Sequence, residues 1–160
     1  MFGTNSNTND LNRLKVGSTF KLYNTSWEVT EIGEYNWRME NSSTEYVIRS
    51  SDREAYLEVE LHKGELELTF SEQISIETPI LESAIETKQL LFDNKLFELE
   101  ERYSGDYKNL TFHTSRENLD CFLFYTDDDE LITIERWDDN SFEVFLGEEL
   151  KSKKIKNIKL

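Results

Sequence analysis

Residues 55–70 read AYLEVELHKGELELTF, and this stretch decides the fold. Apolar residues occupy every second position from Leu57 to Leu61, and they do so again from Leu66 to Phe70. A period of two places apolar side chains on one face of a strand and polar side chains on the opposite, wet face. Lys63-Gly64 separates the two runs and has the composition of a turn. The stretch therefore predicts an antiparallel β-hairpin.

The same alternation extends through most of the chain in both directions. Only two alanines stand against 3 Trp, 7 Tyr and 10 Phe, and aromatic residues suit a half-buried strand better than a helix. Pro79 begins the one segment with the spacing of a short helix. We therefore predict an all-β fold, a barrel or sandwich of two similar antiparallel β-meander halves with at most two short helices. The alternating runs outside the hairpin include Phe20 and Leu22; Trp27 and Val29; Tyr35, Trp37 and Met39; and Tyr46 and Ile48.

Segments of the first half recur in the second half at slowly increasing distances. Duplication followed by loop insertions would leave such a drift, and chance matching of two alternating patterns is the alternative. We favour duplication, with a flexible N-terminal segment at 1–13, a first β repeat at 14–78 and a second at 79–160, docked as one compact unit. The matches are Trp27-Glu28-Val29 with Phe97-Glu98-Leu99, Gly33-Glu34-Tyr35 with Gly105-Asp106-Tyr107, and Leu66-Glu67-Leu68 with Phe142-Glu143-Val144, at offsets of 70, 72 and 76.

Acidity is the strongest feature of the composition. The 160 residues contain 18 Lys and Arg against 33 Asp and Glu, which gives a net charge of −15. Such a charge argues against nucleic-acid binding through phosphates and favours a protein partner with a basic or mixed surface. Lysines from Lys151 to Lys159 interrupt this acidity, and their alternation with Ile155 and Ile158 predicts a last strand with a basic face.

The compartment is predicted from what the sequence does not contain. No run of apolar residues is long enough to cross a bilayer as a helix, and residues 1–10 lack the features of a secretory signal. Cys121 is the single cysteine and cannot form an internal disulfide, which suits a reducing compartment. We therefore expect a cytoplasmic protein without a transmembrane segment.

Five short motifs are spread over about residues 14–158: Val16-Gly17-Ser18-Thr19-Phe20, Trp27-Glu28-Val29, Glu45-Tyr46-Val47-Ile48, Leu131-Ile132-Thr133-Ile134-Glu135-Arg136-Trp137 and Gly147-Glu148-Glu149-Leu150. Together they resemble the uncharacterised bacterial family known as domain of unknown function 4178. The resemblance implies a β-rich fold and brings no assigned activity or catalytic residues. It also implies a bacterial setting linked to membrane stress and polyamine metabolism.

Residues able to support catalysis are few, and none has a recognisable motif around it. His113 and Cys121 would form a nucleophile pair if they met in space, because a thiolate needs an adjacent base. A Cys-dependent hydrolase is therefore the enzymatic alternative, although the acidic neighbour Asp120 would raise the pKa of the thiol. The acidic run 127–130 lacks the register of a calcium loop and reads as a hairpin turn. We predict no catalytic residues, no metal site and no cofactor.

Exposed aromatic residues would be the best candidates for a binding surface, because Trp, Tyr and Arg dominate interface energetics. We predict that Tyr35, Trp37, Arg136 and Trp137 form a partner-binding surface. The predicted function is a non-enzymatic protein-binding or adaptor module. The alternative is an acidic decoy or immunity protein whose carboxylates occupy the cleft of a basic partner.

Overall fold

The computed structural model describes residues 10–38 and 41–160. Antiparallel strands dominate it, with one helix between the two halves and a 3-10 turn near the end. Residues 1–9 of the predicted N-terminal segment and Met39 lie outside the described residues. The elements are β1 (Thr19–Leu22), β2 (Thr25–Trp37), β3 (Ser42–Arg49), β4 (Glu54–His62), β5 (Glu65–Ile74), α1 (Thr78–Thr87), β6 (Gln89–Phe92), β7 (Lys95–Asn109), β8 (Glu117–Tyr125), β9 (Glu130–Trp137), β10 (Phe142–Leu150), the 3-10 turn (Ser152–Lys154) and β11 (Lys156–Lys159).

Eight of the strands close into a ring. The sheet runs in the order β11-β1-β2-β3-β4-β5-β10-β9-β8-β7-β6, and an additional pairing of β2 with β7 joins its two arms. The ring therefore contains β2 to β5 from the first half and β7 to β10 from the second. The all-β fold with two similar meander halves is confirmed, and α1 begins with Pro79 in its first turn as the sequence predicts.

Each half has an apolar core of its own. In β4, Leu57 and Val59 are buried in the first core, while Glu58 and Glu60 lie on the opposite face of the strand. The second core is built in the same way from β6 to β10 and is covered by Leu81 of α1. Both cores contain fully buried aromatic side chains, which supply much of the apolar area that stabilises a fold.

The first hairpins of the two halves share one register at an offset of 70. Leu22 lies opposite Thr25 in β1 and β2, and Phe92 lies opposite Lys95 in β6 and β7. The two-residue turns Tyr23-Asn24 and Asp93-Asn94 both have positive φ at both positions, as type I′ turns require. A bulge follows at the same offset, between Val29 and Glu31 and between Leu99 and Glu101. The two halves are thus alike in detail, and their origin by duplication stays a prediction.

The likeness extends to residues that precede the strands. Leu11 and Leu14 are buried in the first core, and Leu81 and Ala84 are buried in the second at the same offset of 70. Each core is therefore covered from the same side by a short segment that comes just before its first hairpin.

Two seams join the halves within the ring. At the first seam, β2 pairs with β7 and Tyr35 lies opposite Tyr107. At the second seam, β5 pairs with β10 and Ser71 lies opposite Gly147. A methyl group at Gly147 would collide with the backbone of Phe70 and Ser71, so this close approach requires glycine.

Candidate functional site

Three carboxyl groups lie inside the ring, on the polar faces of its strands: Glu135 is buried, and Glu45 and Glu58 are half-buried. The Tyr35 hydroxyl lies 2.7 Å from Glu135 Oε2 and 3.2 Å from Glu45 Oε2. Glu58 Oε2 accepts a hydrogen bond of 2.6 Å from Ser43 Oγ. A tyrosine hydroxyl has one proton, so it cannot donate to Glu135 and Glu45 at once. The arrangement therefore favours a proton on one of these two carboxyl groups.

The electrostatics of this cluster also favour protonated acids. Burial raises the pKa of Glu45, and the nearby charge of Glu58 raises it further. Burial followed by the charge of Glu45 raises the pKa of Glu135 well above its usual value. Burial raises the pKa of Glu58 to about 7, against the opposing effect of its hydrogen bond from Ser43. The interior thus holds acids that share protons at neutral pH.

The predicted surface aromatics meet in a stack beside these acids. Tyr35 stacks on Trp37 with ring centroids 4.9 Å apart, and the tilted ring of Tyr107 lies 4.8 Å from that of Tyr35. Tyr107 then contacts Trp137 edge-on at 5.9 Å. Tyr35 is only 2% exposed, so this residue lies inside the protein and Trp37 and Trp137 are half-buried around it.

Arg136 lies apart from that stack on the outer face of β9. It forms an ion pair of 2.9 Å with Asp120, and its guanidinium lies 5.2 Å from the centre of the Phe122 ring. Neighbouring residues of a strand point to opposite faces, which separates Arg136 from Trp137. The structure thus brings together three of the four residues predicted for the partner-binding surface.

A cavity of about 480 Å³ lies in one end of the ring. Seven of the eight strands of the ring contribute to it, all except β3. Trp37, Tyr103 and Tyr125 give it aromatic walls, and none of the described residues that line it is lysine or arginine. We call it the acidic cavity, after its five carboxyl groups, which belong to Glu58, Glu60, Glu67, Glu101 and Glu149.

A second cavity of about 230 Å³ is lined by β3 and by the opposite ends of β2, β4, β7, β9 and β10. Glu135 and Tyr35 line this smaller cavity, whereas Glu58 and Cys121 line the acidic cavity. The carboxyl cluster therefore lies between two spaces of the ring interior.

Cys121 and His113 lie in different surroundings. Cys121 is 4% exposed, and burial followed by the charge of Glu135 raises the pKa of its thiol well above the usual value. His113 is exposed in the turn between β7 and β8. A buried thiol that resists ionisation is a poor nucleophile.

The acidic run 127–130 lies in the turn before β9 and at its first residue. The Thr126 hydroxyl accepts hydrogen bonds of 3.2 Å from the backbone N–H groups of Asp128 and Glu130, which fixes this turn. Across the described residues, no group of three or more His, Cys, Asp or Glu is arranged to hold a metal ion. None of the described helices is long and apolar enough to cross a membrane.

The sequence left the interior carboxyl groups unnoticed. Glu45, Glu58 and Glu135 occupy ordinary polar positions in alternating strands, and alternation predicts a wet face exposed to bulk solvent. In the ring, that face encloses the two cavities instead. The sequence feature that could have indicated these groups is an acid two positions from an aromatic residue on the same face of a strand, as Glu58 is from Tyr56.

Comparisons with known proteins identify a family and one relative. The profile of the family described as Domain of unknown function (DUF4178) matches residues 15–152. An uncharacterized protein of Aquifex aeolicus (strain VF5) is 26% identical over 163 residues, which cover 94% of this chain and 85% of the relative. No solved structure matches.

Proposed function

This chain belongs to the DUF4178 family, a domain of unknown function, and we propose that it is a non-enzymatic binding module whose acidic cavity receives a cationic group of a protein partner. The observation that carries the proposal is the composition of this cavity. It combines five carboxyl groups with three aromatic side chains, and among its described lining residues none is lysine or arginine and His62 alone could carry a positive charge. An amine or guanidinium would find both ion-pair and cation–π partners there.

The size of the acidic cavity suits a side chain or a short segment better than a whole protein surface. Its volume of about 480 Å³ lies within the range typical of ligand pockets. Trp37 Nε1 donates a hydrogen bond of 3.3 Å to Ser43 Oγ, which holds the indole at the wall of the cavity. A cation entering there would also reduce the repulsion between Glu58 and its acidic neighbours.

The absence of an enzymatic role is part of the same proposal. The enzymatic alternative needs a thiolate at Cys121, and the buried thiol resists ionisation because burial and nearby acids raise its pKa. We therefore expect Cys121→Ser to leave partner binding unchanged. Loss of a biological activity in a folded Cys121→Ser protein would instead support the hydrolase.

The class of partner follows from the charge. A net charge of −15 accelerates encounters with basic surfaces and repels acidic ones, so we propose an adaptor for a partner with a basic or mixed surface, and not a nucleic-acid binder. We propose the cytoplasm as its compartment. The acidic decoy stays the alternative, and it requires carboxylates concentrated on one outer face, whereas the five of the acidic cavity lie in one end of the ring.

The test uses tetralysine as a defined cationic probe. Titration into ¹⁵N-labelled protein should shift the indole signal of Trp37 and the backbone amides around the acidic cavity. The double variant Glu60→Gln/Glu101→Gln should weaken binding about tenfold or more, because each lost close charge pair contributes roughly 1 kcal/mol. The control is Glu98→Gln/Glu100→Gln, which changes the net charge equally at two exposed residues outside the cavity. Equal weakening by both double variants would refute the proposal.

A pull-down from the native host at low and moderate salt separates the adaptor from the decoy. A partner retained by the wild-type protein and lost by Glu60→Gln/Glu101→Gln supports the adaptor. Capture of a basic nuclease that is lost by moderate salt in wild type and both double variants alike supports the decoy.

A further inference from the structure

β6 ends the sheet, and no described strand lies against its outer edge. The corresponding strand of the first half, β1, is covered on that edge by β11. The two first hairpins share their register at an offset of 70, so the equivalents of Thr19 and Lys21 in β1 are Gln89 and Leu91 in β6. Within residues 10–38 and 41–160, the second half therefore lacks a covering strand that the first half has.

The register of β1 identifies the β6 residues that face outward. Thr19 lies opposite Lys159 and Lys21 lies opposite Lys156 in the pairing of β1 with β11. Backbone groups of alternate residues point to the same side of a strand, so Gln89 and Leu91 direct theirs to the outer edge of β6. The Gln89 carbonyl accepts a hydrogen bond of 3.3 Å from the Thr87 hydroxyl, which leaves Leu91 as the central pairing residue.

The side chains beside this edge are unusually apolar for a surface. Leu91 is 69% exposed and lies opposite Leu96, which is 48% exposed. The equivalent pair in the first half is Lys21 and Ser26, which are both polar. An edge strand with an exposed apolar pair invites pairing by another strand, and natural proteins usually protect such edges.

We propose that the outer edge of β6 binds an extended segment of a partner protein that is rich in lysine and isoleucine, paired in the way that β11 pairs with β1. The chemistry of this segment comes from β11 itself. Residues 151–160 read KSKKIKNIKL and contain five lysines and no acidic residue. Strand addition of this kind takes its affinity from backbone hydrogen bonds and its specificity from alternate side chains.

Charge complementarity favours a basic occupant over a second copy of this chain. The net charge of −15 opposes the approach of two whole copies, and Asp93 and Glu98 add acidic groups next to β6. Movement of β11 from β1 to the β6 edge of another copy would also pull Ile155, which directly precedes β11 and is fully buried, out of the first core. A separate basic segment meets neither obstacle.

The test is the fluorescence anisotropy of a labelled peptide with the sequence of residues 151–160. We expect it to bind the wild-type protein, and Leu91→Pro should weaken binding about tenfold or more, because proline removes the outward N–H. Leu91→Ala keeps that N–H and should weaken binding less. A scrambled peptide of equal charge should bind much more weakly than the native sequence.

Several results would overturn the proposal. Equal weakening by Leu91→Ala and Leu91→Pro would show apolar contact without strand pairing, and equal binding of the scrambled peptide would show charge attraction alone. If the Leu91→Pro protein bound the peptide with unchanged affinity, the peptide would bind at a site other than β6, for example on β1 after displacing β11. Loss of binding in Glu60→Gln/Glu101→Gln would place it in the acidic cavity, so the two proposals fail separately.

A second measurement does not depend on the fold of the proline variant. Peptides with N-methyl groups at alternate backbone nitrogens cannot donate hydrogen bonds there, while their side chains and charge stay the same. We expect one of the two alternate N-methylation patterns to abolish binding and the other to preserve it, because only one edge of the peptide faces β6. Equal affinity for both patterns contradicts strand addition.

Discussion

The apolar cores and the interior of the ring are built from opposite faces of the same strands. In β4, Leu57 and Val59 pack in the first core, while Glu58 and Glu60 line the acidic cavity one residue away. The cores exclude water with close-packed aliphatic and aromatic side chains. The interior holds carboxyl groups and two cavities. One set of strands thus supports two environments of opposite character.

The two environments have opposite effects on the free energy of unfolding: the cores raise it and the interior carboxyl groups lower it. Removing apolar area from water stabilises the fold by about 25 cal/mol per Å². Burying a carboxyl group without a cation costs free energy, and the group then retains its proton instead. Glu45 and Glu135 are in this position, and the Tyr35 hydroxyl lies within hydrogen-bond distance of both. Clusters of this kind are found more often at functional sites than elsewhere.

The largest expected effect tests the cores. Phe124 is fully buried in the second core, and Phe124→Ala should lower the free energy of unfolding by about 3–5 kcal/mol, because it leaves a cavity. Urea denaturation followed by far-UV circular dichroism measures this loss. Phe112→Ala is the matched control, since Phe112 is 66% exposed and its removal should change stability by about 0.5 kcal/mol or less. Similar losses for both variants would contradict the assignment of the core.

An intermediate effect tests the seam that holds the two halves together. Gly147→Ala places a methyl group against the backbone of Phe70 and Ser71, and it should cost about 1–3 kcal/mol through local displacement of β10 from β5. The measurement is the urea midpoint together with hydrogen exchange of the amides in both strands. Glu148→Gln, at the next and exposed position, keeps an acceptor for the Tyr23 hydroxyl and serves as the control. A Gly147→Ala protein with wild-type stability would mean that this seam is looser than the structure shows.

The alternation in the sequence predicted the faces of the strands but not their environments. It assigned Leu57 and Val59 to a core, and Lys63-Gly64 to the turn between β4 and β5, because both depend on residues close together in the chain. Closure of the ring depends on Tyr35 meeting Tyr107, a contact between residues 72 positions apart. Nothing local specifies such a pairing, since any two strands of similar length and pattern could form it.

The candidate site was predicted only in part, because it also depends on contacts between residues that are far apart in the sequence. Tyr35, Trp37 and Trp137 do come together, but they do so inside the ring, where Tyr107 links them. Arg136 follows the alternation to the outer face instead. An acid on the polar face of a strand looks the same in sequence whether that face meets solvent or a cavity. Closure of the ring decides between these two outcomes.

The smallest expected effect tests the interior carboxyl groups through pH. Their pKa values are raised by burial first, to about 7 for Glu58, so the folded state binds protons more tightly than the unfolded chain. The stability that these protons provide is complete below the unfolded pKa near 4.5 and is lost as pH rises through the folded pKa. The free energy of unfolding should therefore fall between about pH 5 and pH 8. Glu45→Gln, which stays neutral, should raise it at pH 8 by about 1–2 kcal/mol and flatten the profile.

A general effect of net charge would slope in the same direction, and a matched variant separates the two. Glu98→Gln removes one negative charge at an exposed position of β7, away from the two cavities. If the slope came from repulsion among all 33 acidic residues, Glu98→Gln and Glu45→Gln would flatten it equally. If it comes from the carboxyl groups that Tyr35 bridges, only Glu45→Gln will do so. Equal profiles for the two variants would remove the distinction between the interior of the ring and the outer surface.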